Sequence, residues 1–302
     1  MSKLCAGRVV IVTGAGRGIG REHALAFARE GAAVVVNDLG TSLAGEQTAS
    51  QPAEEVAALI RSSGGRAVAS ADDVADFAAA GRIVATAIDA FGRLDVVVNN
   101  AGFVRDRMFA NTSEAEWDAV LRVHLKGHFC VTRHACGYWR ERAKAGDAVD
   151  ARILNTSSGA GLLGSIGQSA YAAAKAGILA LTLVQAAELR RYGITANAIA
   201  PAARTRMTED TFAEMMKKPE QGFDVMDASN ISPLVVWLGS RASAHVTGRV
   251  FEIKGGELCL YPGQRPGPSV DKGARWDPAE LGDVVADLLA KAPEPLAVYG
   301  QS

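Results

Sequence analysis

Cysteine is scarce in this 302-residue sequence, with four such residues scattered from position 5 to position 259. No two of them form a CxxC pair, and none lies at a spacing used by zinc motifs. The pattern excludes the common metal-binding modules and favours reduced thiols. We therefore predict no metal site and a cytoplasmic protein.

Charge of one sign is lacking as well, because 32 basic and 33 acidic residues give a net charge of −1. A balanced chain offers no electrostatic case for binding nucleic acid or a membrane surface. Uninterrupted apolar runs of about eighteen residues, as a spanning helix needs, are missing, and the first residues lack the apolar stretch of a signal peptide. We expect neither nucleic acid nor a membrane as a partner.

Short β-branched runs that alternate with helical patterns are abundant instead, and 48% of the residues are hydrophobic. Seven such runs predict an α/β fold with a Rossmann-type doubly wound, seven-stranded parallel sheet. We assign residues 1–260 to this single domain and residues 261–302 to a C-terminal extension with one helix, 278–289. A continuous helix is predicted over 114–144. The predicted strands are 8–13, 33–38, 66–70, 94–98, 151–156, 194–200 and 250–253.

A glycine-rich turn follows the first predicted strand, with glycines spaced T-G-x-x-x-G-x-G before a helix. Glycines at this place let the backbone approach a pyrophosphate, while the helix N-terminus supplies amide donors. A tight turn without a ligand is the weaker explanation, because the strand and helix on either side fit a dinucleotide site. The residues of the turn that we expect to bind the cofactor are Gly14, Arg17, Gly18, Ile19 and Gly20.

Acidic residues follow the next two strands. Asp38 lies where an adenosine ribose belongs, and a carboxylate there accepts ribose hydroxyls and repels a 2′-phosphate, which favours NAD over NADP. Arg17 works against this preference, and a turn-forming Asp-Leu-Gly is an alternative explanation of Asp38. Asp73 and Val74 are predicted to meet the adenine, although an N-cap role for Asp72 or Asp73 explains the pattern nearly as well.

Two further motifs lie downstream. Asn100, Ala101 and Gly102 follow the fourth strand, at the edge of the sheet where ligands bind in open α/β folds. Tyr171 and Lys175 fall one turn apart on a predicted helix, so that the ammonium group, with help from a hydroxyl donor, is expected to lower the pKa of the phenol. An alanine-rich helix that happens to carry a tyrosine and a lysine is the alternative.

In their order and spacing, TGAGRGIG, NNAG and the Ser-Tyr-x-x-x-Lys array resemble the short-chain dehydrogenase/reductase family over roughly residues 8–256. The strings VVVNDLG and WDAVLRVHLKGHF are similar to its (3R)-hydroxyacyl-CoA dehydrogenase branch, which includes peroxisomal multifunctional enzyme type 2 and bacterial relatives. The resemblance implies NAD-dependent oxidation of a 3-hydroxyacyl-CoA. It also implies that Tyr171 is the general base, that Lys175 activates it and binds ribose, and that Ser158 donates to the substrate oxygen.

The chain departs from the family pattern at two positions. His124 stands where the family has a catalytic Asn, and either orders a water that relays protons from Lys175 or merely fills space. After the sixth strand Pro201 is followed by Ala202 instead of glycine, and Thr205 is then expected to meet the carboxamide of the nicotinamide.

Several alternatives stay open from the residues alone. A hydroxysteroid or steroid-CoA dehydrogenase and a 3-oxoacyl reductase fit the same motifs, and an NAD-binding sensor or scaffold without chemistry is the non-enzyme candidate. The helix 170–189 is apolar nearly all round, which favours burial against a second subunit, and the resemblance implies a homodimer or homotetramer. Four methionines (Met207, Met215, Met216 and Met226) either cover an acyl chain or simply pack.

Overall fold

A computed structural model describes residues 3–40, 51–205 and 216–299. The described chain forms one sheet with the strand order β3-β2-β1-β4-β5-β6-β7-β8, in which β1 to β7 run parallel. The doubly wound α/β architecture predicted from the sequence is thereby confirmed. The strands are β1 Val9–Thr13, β2 Ala33–Asn37, β3 Arg66–Ser70, β4 Val96–Asn99, β5 Ala151–Thr156, β6 Ile194–Ala202, β7 Val250–Lys254 and β8 Glu257–Tyr261.

The prediction of seven strands was wrong by one, because β8 adds an antiparallel edge strand beside β7. A two-glycine turn at Gly255 and Gly256 joins the two strands as a tight hairpin. The side chains of Leu258 and Leu260 are more than half exposed. The apolar run of β8, residues 258–261, was not counted as a strand because it is short and follows β7 after only two glycines.

Helices cover both faces of the sheet because successive strand residues point to opposite sides. Val10 and Val12 pack in the core beneath α1, α2 and α8, whereas Val9 and Ile11 pack beneath α3, α5 and α7. The helices are α1 Gly18–Arg29, α2 Pro52–Ser62, α3 Phe77–Phe91, α4 Glu114–Leu121, α5 Gly127–Lys144, α6 Gly159–Leu163, α7 Ser169–Leu189, α8 Ser232–Gly239 and α9 Leu281–Lys291.

The helix predicted to be continuous over 114–144 is interrupted. It begins at a capping box formed by Ser113 and Glu116, and α4 ends at Leu121. A π-helical turn, Arg122–Lys126, then leads into α5. Such π turns accommodate an extra residue and are frequent at functional sites, and this one carries His124.

The start of α3 decides between two explanations of the acidic run before it. The N-cap is Asp76, whose side chain accepts from the amide of Ala79 at 2.7 Å. The capping role considered for Asp72 or Asp73 is therefore wrong, because α3 begins at Phe77, directly after Asp76.

One helical stretch, Ser169–Tyr192, is long and apolar enough to cross a membrane by length and composition, with a mean hydropathy of 1.4 and 39% of its most apolar window buried. This stretch was not predicted as a spanning helix from the sequence, because Lys175, Thr182 and Gln185 interrupt its apolar run. These polar residues are themselves buried, since α7 packs on β5 and β6. The face of α7 that carries these polar residues is thus turned toward the sheet.

Candidate active site

A cleft of about 300 Å³ lies at the carboxyl ends of β1, β4, β5 and β6. Strand order reverses between β1 and β4, which is where ligands bind in doubly wound sheets. Most residues predicted from the sequence to form the site line this cleft. They are Gly14, Arg17, Gly18, Ile19, Gly20, Asn100, Gly102, His124, Ser158, Tyr171, Lys175 and Thr205.

The glycine-rich turn is packed so closely that side chains are excluded. A Cβ added to Gly20 would lie 2.2 Å from the carbonyl oxygen of Gly14, and one added to Gly14 would lie 2.7 Å from the Cα of Ala101. Gly14 also has a φ of +62°, a conformation that favours glycine. These contacts require glycine for the turn itself, before any ligand is considered.

The N-terminus of α1 suits an anion. Arg17 is its N-cap residue, has no acceptor to offer the first amides, and the first turn of this helix carries no carboxylate. Unsatisfied amides at a helix N-terminus attract phosphate. Thr205 lies above the turn, within 3.6 Å of where a Cβ on Gly18 would be. The residues present therefore fit the pyrophosphate of a dinucleotide.

Asn100 and Ala101 hold the glycine turn against β4. The hydroxyl of Thr13 accepts from the amides of Asn100 at 2.9 Å and Ala101 at 3.1 Å. The side-chain amide of Asn100 donates to the carbonyls of Thr13 at 3.0 Å and Gly14 at 3.2 Å. Asn100 thus fixes the backbone of the turn, and Ala101 lies just outside the cleft lining.

Asp38 lies at the end of β2, next to the glycine turn. Its carboxylate accepts from the amides of Gly16 and Gly40, each at 2.9 Å. A carboxylate has lone pairs left for other donors after two such bonds. The position is the one expected for a ribose ligand, although Asp38 is not part of the cleft lining.

Asp73 and Val74 are not brought into the cleft lining. Asp73 accepts from the amide of Ala75 at 2.8 Å and pairs with Arg122 at 2.5 Å. Val74 is 8% exposed and packs against Gly127, where an added Cβ would lie 2.9 Å from its methyl group. The expected adenine contact stays a prediction for both residues.

Ser158, Tyr171 and Lys175 converge on one wall of the cleft. The hydroxyl of Ser158 is close enough to that of Tyr171 to lower the pKa of the phenol. The ammonium of Lys175 lies 5.5 Å from the centre of the Tyr171 ring and donates to the carbonyl of Thr156 at 2.6 Å. Ser157 donates to the carbonyl of Lys175 at 2.8 Å and so ties α7 to the end of β5.

The pKa values of this group differ from the sequence-based expectation. Burial raises the pKa of Tyr171, the hydrogen bond from Ser158 lowers it, and the carboxylate of Asp106 raises it further. Burial also lowers the pKa of Lys175 to about 7. The expected lowering of the phenol pKa by Lys175 is not met in this arrangement, because desolvation dominates. An amine with a pKa near 7 does, however, exchange protons readily at neutral pH.

His124 is 1% exposed and packs edge-on against Tyr171, with 5.2 Å between the ring centres. Its Nε2 lies 2.6 Å from the carbonyl oxygen of Phe103 and 3.1 Å from the amide nitrogen of the same residue, and Nδ1 has no hydrogen-bond partner among the described residues. Burial, followed by the charge of Lys175, lowers its pKa to about 3. The imidazole is therefore neutral, and a Cβ on Gly102 would collide with it at 2.3 Å.

Several residues of the cleft were not predicted from the sequence. Thr156 and Ser157 act through backbone and hydroxyl contacts that carry no spacing signal. His128, just outside the lining, is 2% exposed, and burial and the charge of Lys175 lower its pKa well below the usual value. Glu252, on β7, and Tyr299, near the C-terminus, also line the cleft. Their positions depend on tertiary folding, so no local motif could have found them.

The predicted methionine cluster divides. Met216 lines the cleft and is 7% exposed. Met226 is buried outside the lining, and Met207 and Met215 lie outside the described residues. Within the described parts of the chain, no group of three or more His, Cys, Asp or Glu side chains is placed to hold a metal ion.

Comparison with known proteins gives this geometry a context. A model of the family described as short chain dehydrogenase matches residues 8–216. This chain belongs to the short-chain dehydrogenase family. Members of the family are oxidoreductases that use a nicotinamide cofactor, and the present chain is accordingly an enzyme that acts on a secondary alcohol group.

Two curated relatives are similar over most of the chain. Hydroxyacyl-CoA dehydrogenase ChsB1 of Mycobacterium tuberculosis is 46% identical over 94% of this chain and 89% of its own length. Peroxisomal multifunctional enzyme type 2 of Mus musculus is 46% identical over 83% of this chain, which spans 32% of that longer protein. The resemblance to this branch of the family is thereby confirmed.

A solved structure agrees with the fold. A short-chain dehydrogenase from Mycobacterium avium is 60% identical, covers 98% of this chain and 99% of its own, and superposes with a TM-score of 0.89. That coverage includes the C-terminal extension, which the family model for residues 8–216 does not.

Proposed function

We propose that this enzyme oxidises a 3-hydroxyacyl-CoA to the 3-oxoacyl-CoA with NAD as the cofactor. The observation that carries the proposal is that Ser158, Tyr171 and Lys175 line the same cleft as the glycine turn. Two hydroxyls and an amine in one cleft are suited to bind a substrate oxygen and take up its proton. The glycine turn is where a dinucleotide would be held.

Tyr171 accepts the proton of the substrate hydroxyl, and Ser158 donates a hydrogen bond to the same oxygen. Lys175 passes the proton onward, since its amine titrates near neutral pH and is fixed by Thr156. When bound, oxidised NAD supplies the acceptor for the hydride that leaves the carbinol carbon, together with a positive charge. A positive charge in the cleft favours the phenolate and offsets the burial that raises the pKa of Tyr171.

The preference for NAD rests on Asp38. Its carboxylate lies beside Gly16, where an added Cβ would come within 2.9 Å of the carboxylate oxygen. A 2′-phosphate brought to that place would meet a negative charge at short range, whereas ribose hydroxyls would find an acceptor. Arg17, on the same turn, is the residue that works against this preference.

The acyl-CoA substrate is supported by the names of the relatives and by the shape of the cleft. ChsB1 is named a hydroxyacyl-CoA dehydrogenase. The multifunctional enzymes belong to the branch of the family that this chain resembles. Met216 adds a flexible apolar wall that suits an acyl chain. Steroid-CoA and 3-oxoacyl substrates are alternatives that the same assay tests. A non-catalytic NAD-binding sensor would not need the complete set of Ser158, Tyr171 and Lys175.

Two further expectations belong to the proposal. We expect a homo-oligomer formed through α7, whose Leu183 and Val184 are half exposed. Light scattering after gel filtration measures this, and a monomer mass at all concentrations would contradict it. The cytoplasmic location stays a prediction.

The test is a panel of 3-hydroxyacyl-CoA, free secondary alcohol and hydroxysteroid substrates with NAD and NADP, followed by absorbance of the reduced cofactor. Tyr171→Phe should lower kcat/KM by about 10³-fold, because it removes the proton acceptor. It should leave NADH affinity nearly unchanged in a fluorescence titration. Tyr192→Phe, a tyrosine just beyond α7, is the matched control. Full turnover by Tyr171→Phe would overturn the mechanism.

A further inference from the structure

The C-terminal segment leaves the sheet at Tyr261 and returns to the active site. The residues between are largely exposed, and α9 has no buried residue. At Tyr299 the backbone forms a bridge to the loop between α6 and α7. Ile166 donates to the carbonyl of Tyr299 at 2.9 Å, and the amide of Tyr299 donates to the carbonyl of Gly164 at 3.2 Å. Tyr299 is thus attached to this loop through both its amide and its carbonyl.

The side chain of Tyr299 lies between two parts of the cleft. Its hydroxyl donates to Glu252 on β7 at 3.1 Å. Its ring covers Gly159, where an added Cβ would lie 2.7 Å from the ring carbon Cε2. Burial, with the carboxylate of Glu252, raises its pKa to about 12, so the phenol keeps its proton and remains a donor.

The loop that Tyr299 contacts begins directly after Ser158. The segment Gly159–Gln168 separates Ser158 from α7 and includes two glycines with positive φ, Gly164 at +82° and Gly167 at +76°. Its first half is the short helix α6, which packs on α7, and its second half is the glycine-flanked loop 164–168. Backbone hydrogen bonds with Arg107 and Tyr299 hold this second half.

We propose that Tyr299 is a substrate-positioning residue, which latches the Gly159–Gln168 loop to β7 and forms the wall of the cleft against which the acyl portion of the substrate lies. The ring is 41% exposed and lines the cleft, so a face remains to contact a ligand. This assignment deepens the proposed function, because it places the acyl group beside Ser158. Glu252 is the anchor of the latch.

Hydrogen exchange tests the latch without any substrate. Tyr299→Ala should speed exchange in peptides covering 159–168 by about tenfold or more, because the loop loses its tether. Peptides covering α1 should be unchanged. Glu252→Gln keeps an acceptor for the phenol and should resemble the wild type. Leu296→Ala, in the same segment and 69% exposed, is the matched control. Unchanged exchange in 159–168 would overturn the latch.

Kinetics test the wall. The readout is the kcat/KM for 3-hydroxypalmitoyl-CoA divided by the kcat/KM for 3-hydroxybutyryl-CoA. In Tyr299→Ala this ratio should rise about fivefold, since removal of the ring widens the cleft. Tyr299→Phe, which keeps the ring, should hold that ratio within twofold. Equal losses for both substrates in Tyr299→Ala would indicate a structural role and overturn the proposal.

The two proposals fail in different ways. If the wild type oxidises no acyl-CoA, the proposed function fails, and the same ratio is then measured on the largest and smallest secondary alcohols that it does oxidise. If acyl-CoA is oxidised and the ratio does not move, the substrate class stands and the role of Tyr299 falls.

Discussion

The cleft has two rims that are built in opposite ways. The cofactor rim is the turn Gly14–Gly20 with Asn100, and the substrate rim is the loop Gly159–Gln168 with Tyr299. In the cofactor rim, backbone packs on backbone so tightly that an added Cβ on Gly20 meets an oxygen at 2.2 Å. In the substrate rim, the segment packs on α7 and is also held by Tyr299, through its ring and two backbone hydrogen bonds from the distant C-terminal segment.

The contrast matches what each rim must do. A pyrophosphate is the same in every turnover, so a rim that admits one backbone shape suits it. An acyl group varies in length and shape, and a wall made by a single side chain can change without disturbing the sheet. Variants that act on one rim and spare the other therefore test the division.

The largest expected effect comes from Gly20→Ala, which breaks the cofactor rim. The new methyl group would overlap the carbonyl of Gly14 and the amide of Asn100, at 2.2 and 2.4 Å. We expect NADH affinity to fall about 100-fold, because relief of the overlap would cost roughly 3 kcal/mol. Fluorescence titration measures it, and Gly282→Ala on α9, where nothing lies within 4 Å, is the control. Normal affinity would contradict the steric account.

Gly161→Ala should break the substrate rim instead. Its Cβ would lie 2.7 Å from backbone and Cβ atoms of Lys175 and 2.8 Å from the Ser157 hydroxyl. The overlap would push α6 away from α7 and separate Ser158 from Tyr171, lowering kcat about 30-fold. NADH affinity should stay within twofold of the wild type. A parallel loss of NADH binding would show that the rims are not independent.

Asp38→Asn sharpens the comparison by changing charge alone in the cofactor rim. Asn retains one acceptor oxygen but does not repel a phosphate, so the preference for NAD over NADP should fall about tenfold. The ratio of kcat/KM values for the two cofactors is the readout. Asp106→Asn changes a carboxylate that accepts from Gln168 at 2.9 Å in the substrate rim, and should leave that ratio unaltered.

The smallest effect concerns Lys175, which lies between the rims. Burial lowers its pKa from 10.5 to about 7, so the folded state is penalised wherever the amine is protonated in the unfolded chain. The penalty is complete below pH 7 and disappears as pH rises from 7 to 10.5, because the unfolded chain binds more protons in that window. Lys175→Met removes this burial penalty and also removes the hydrogen bond to the carbonyl of Thr156.

Lys175→Met should therefore be more stable than the wild type by about 1 kcal/mol at pH 6.5, although inactive. Urea unfolding measures the difference, which should shrink as the pH is raised to 10. A constant difference across this range would show that the amine is not the source of the penalty.

Particular residues show how much of the fold and of the site could be predicted from the sequence. The glycine turn, Asn100 and Gly102, and the Tyr171–Lys175 pair were predicted from local spacing, and the structure brings them together in one cleft. The π turn at His124 was missed, since a continuous helical pattern runs through it. Strand β8 was missed because its apolar run is short and follows β7 after only two glycines.

The sequence by itself determined the order of strands and helices, the glycine turn and the family, because burial periodicity and steric exclusion act over short stretches of chain. The tertiary structure alone decided how Tyr299 reaches Gly159 and Glu252, and which way burial moves the pKa values of Tyr171 and Lys175. Contacts between distant segments and the desolvation of a side chain depend on the whole packed molecule, so neither leaves a local pattern in the sequence.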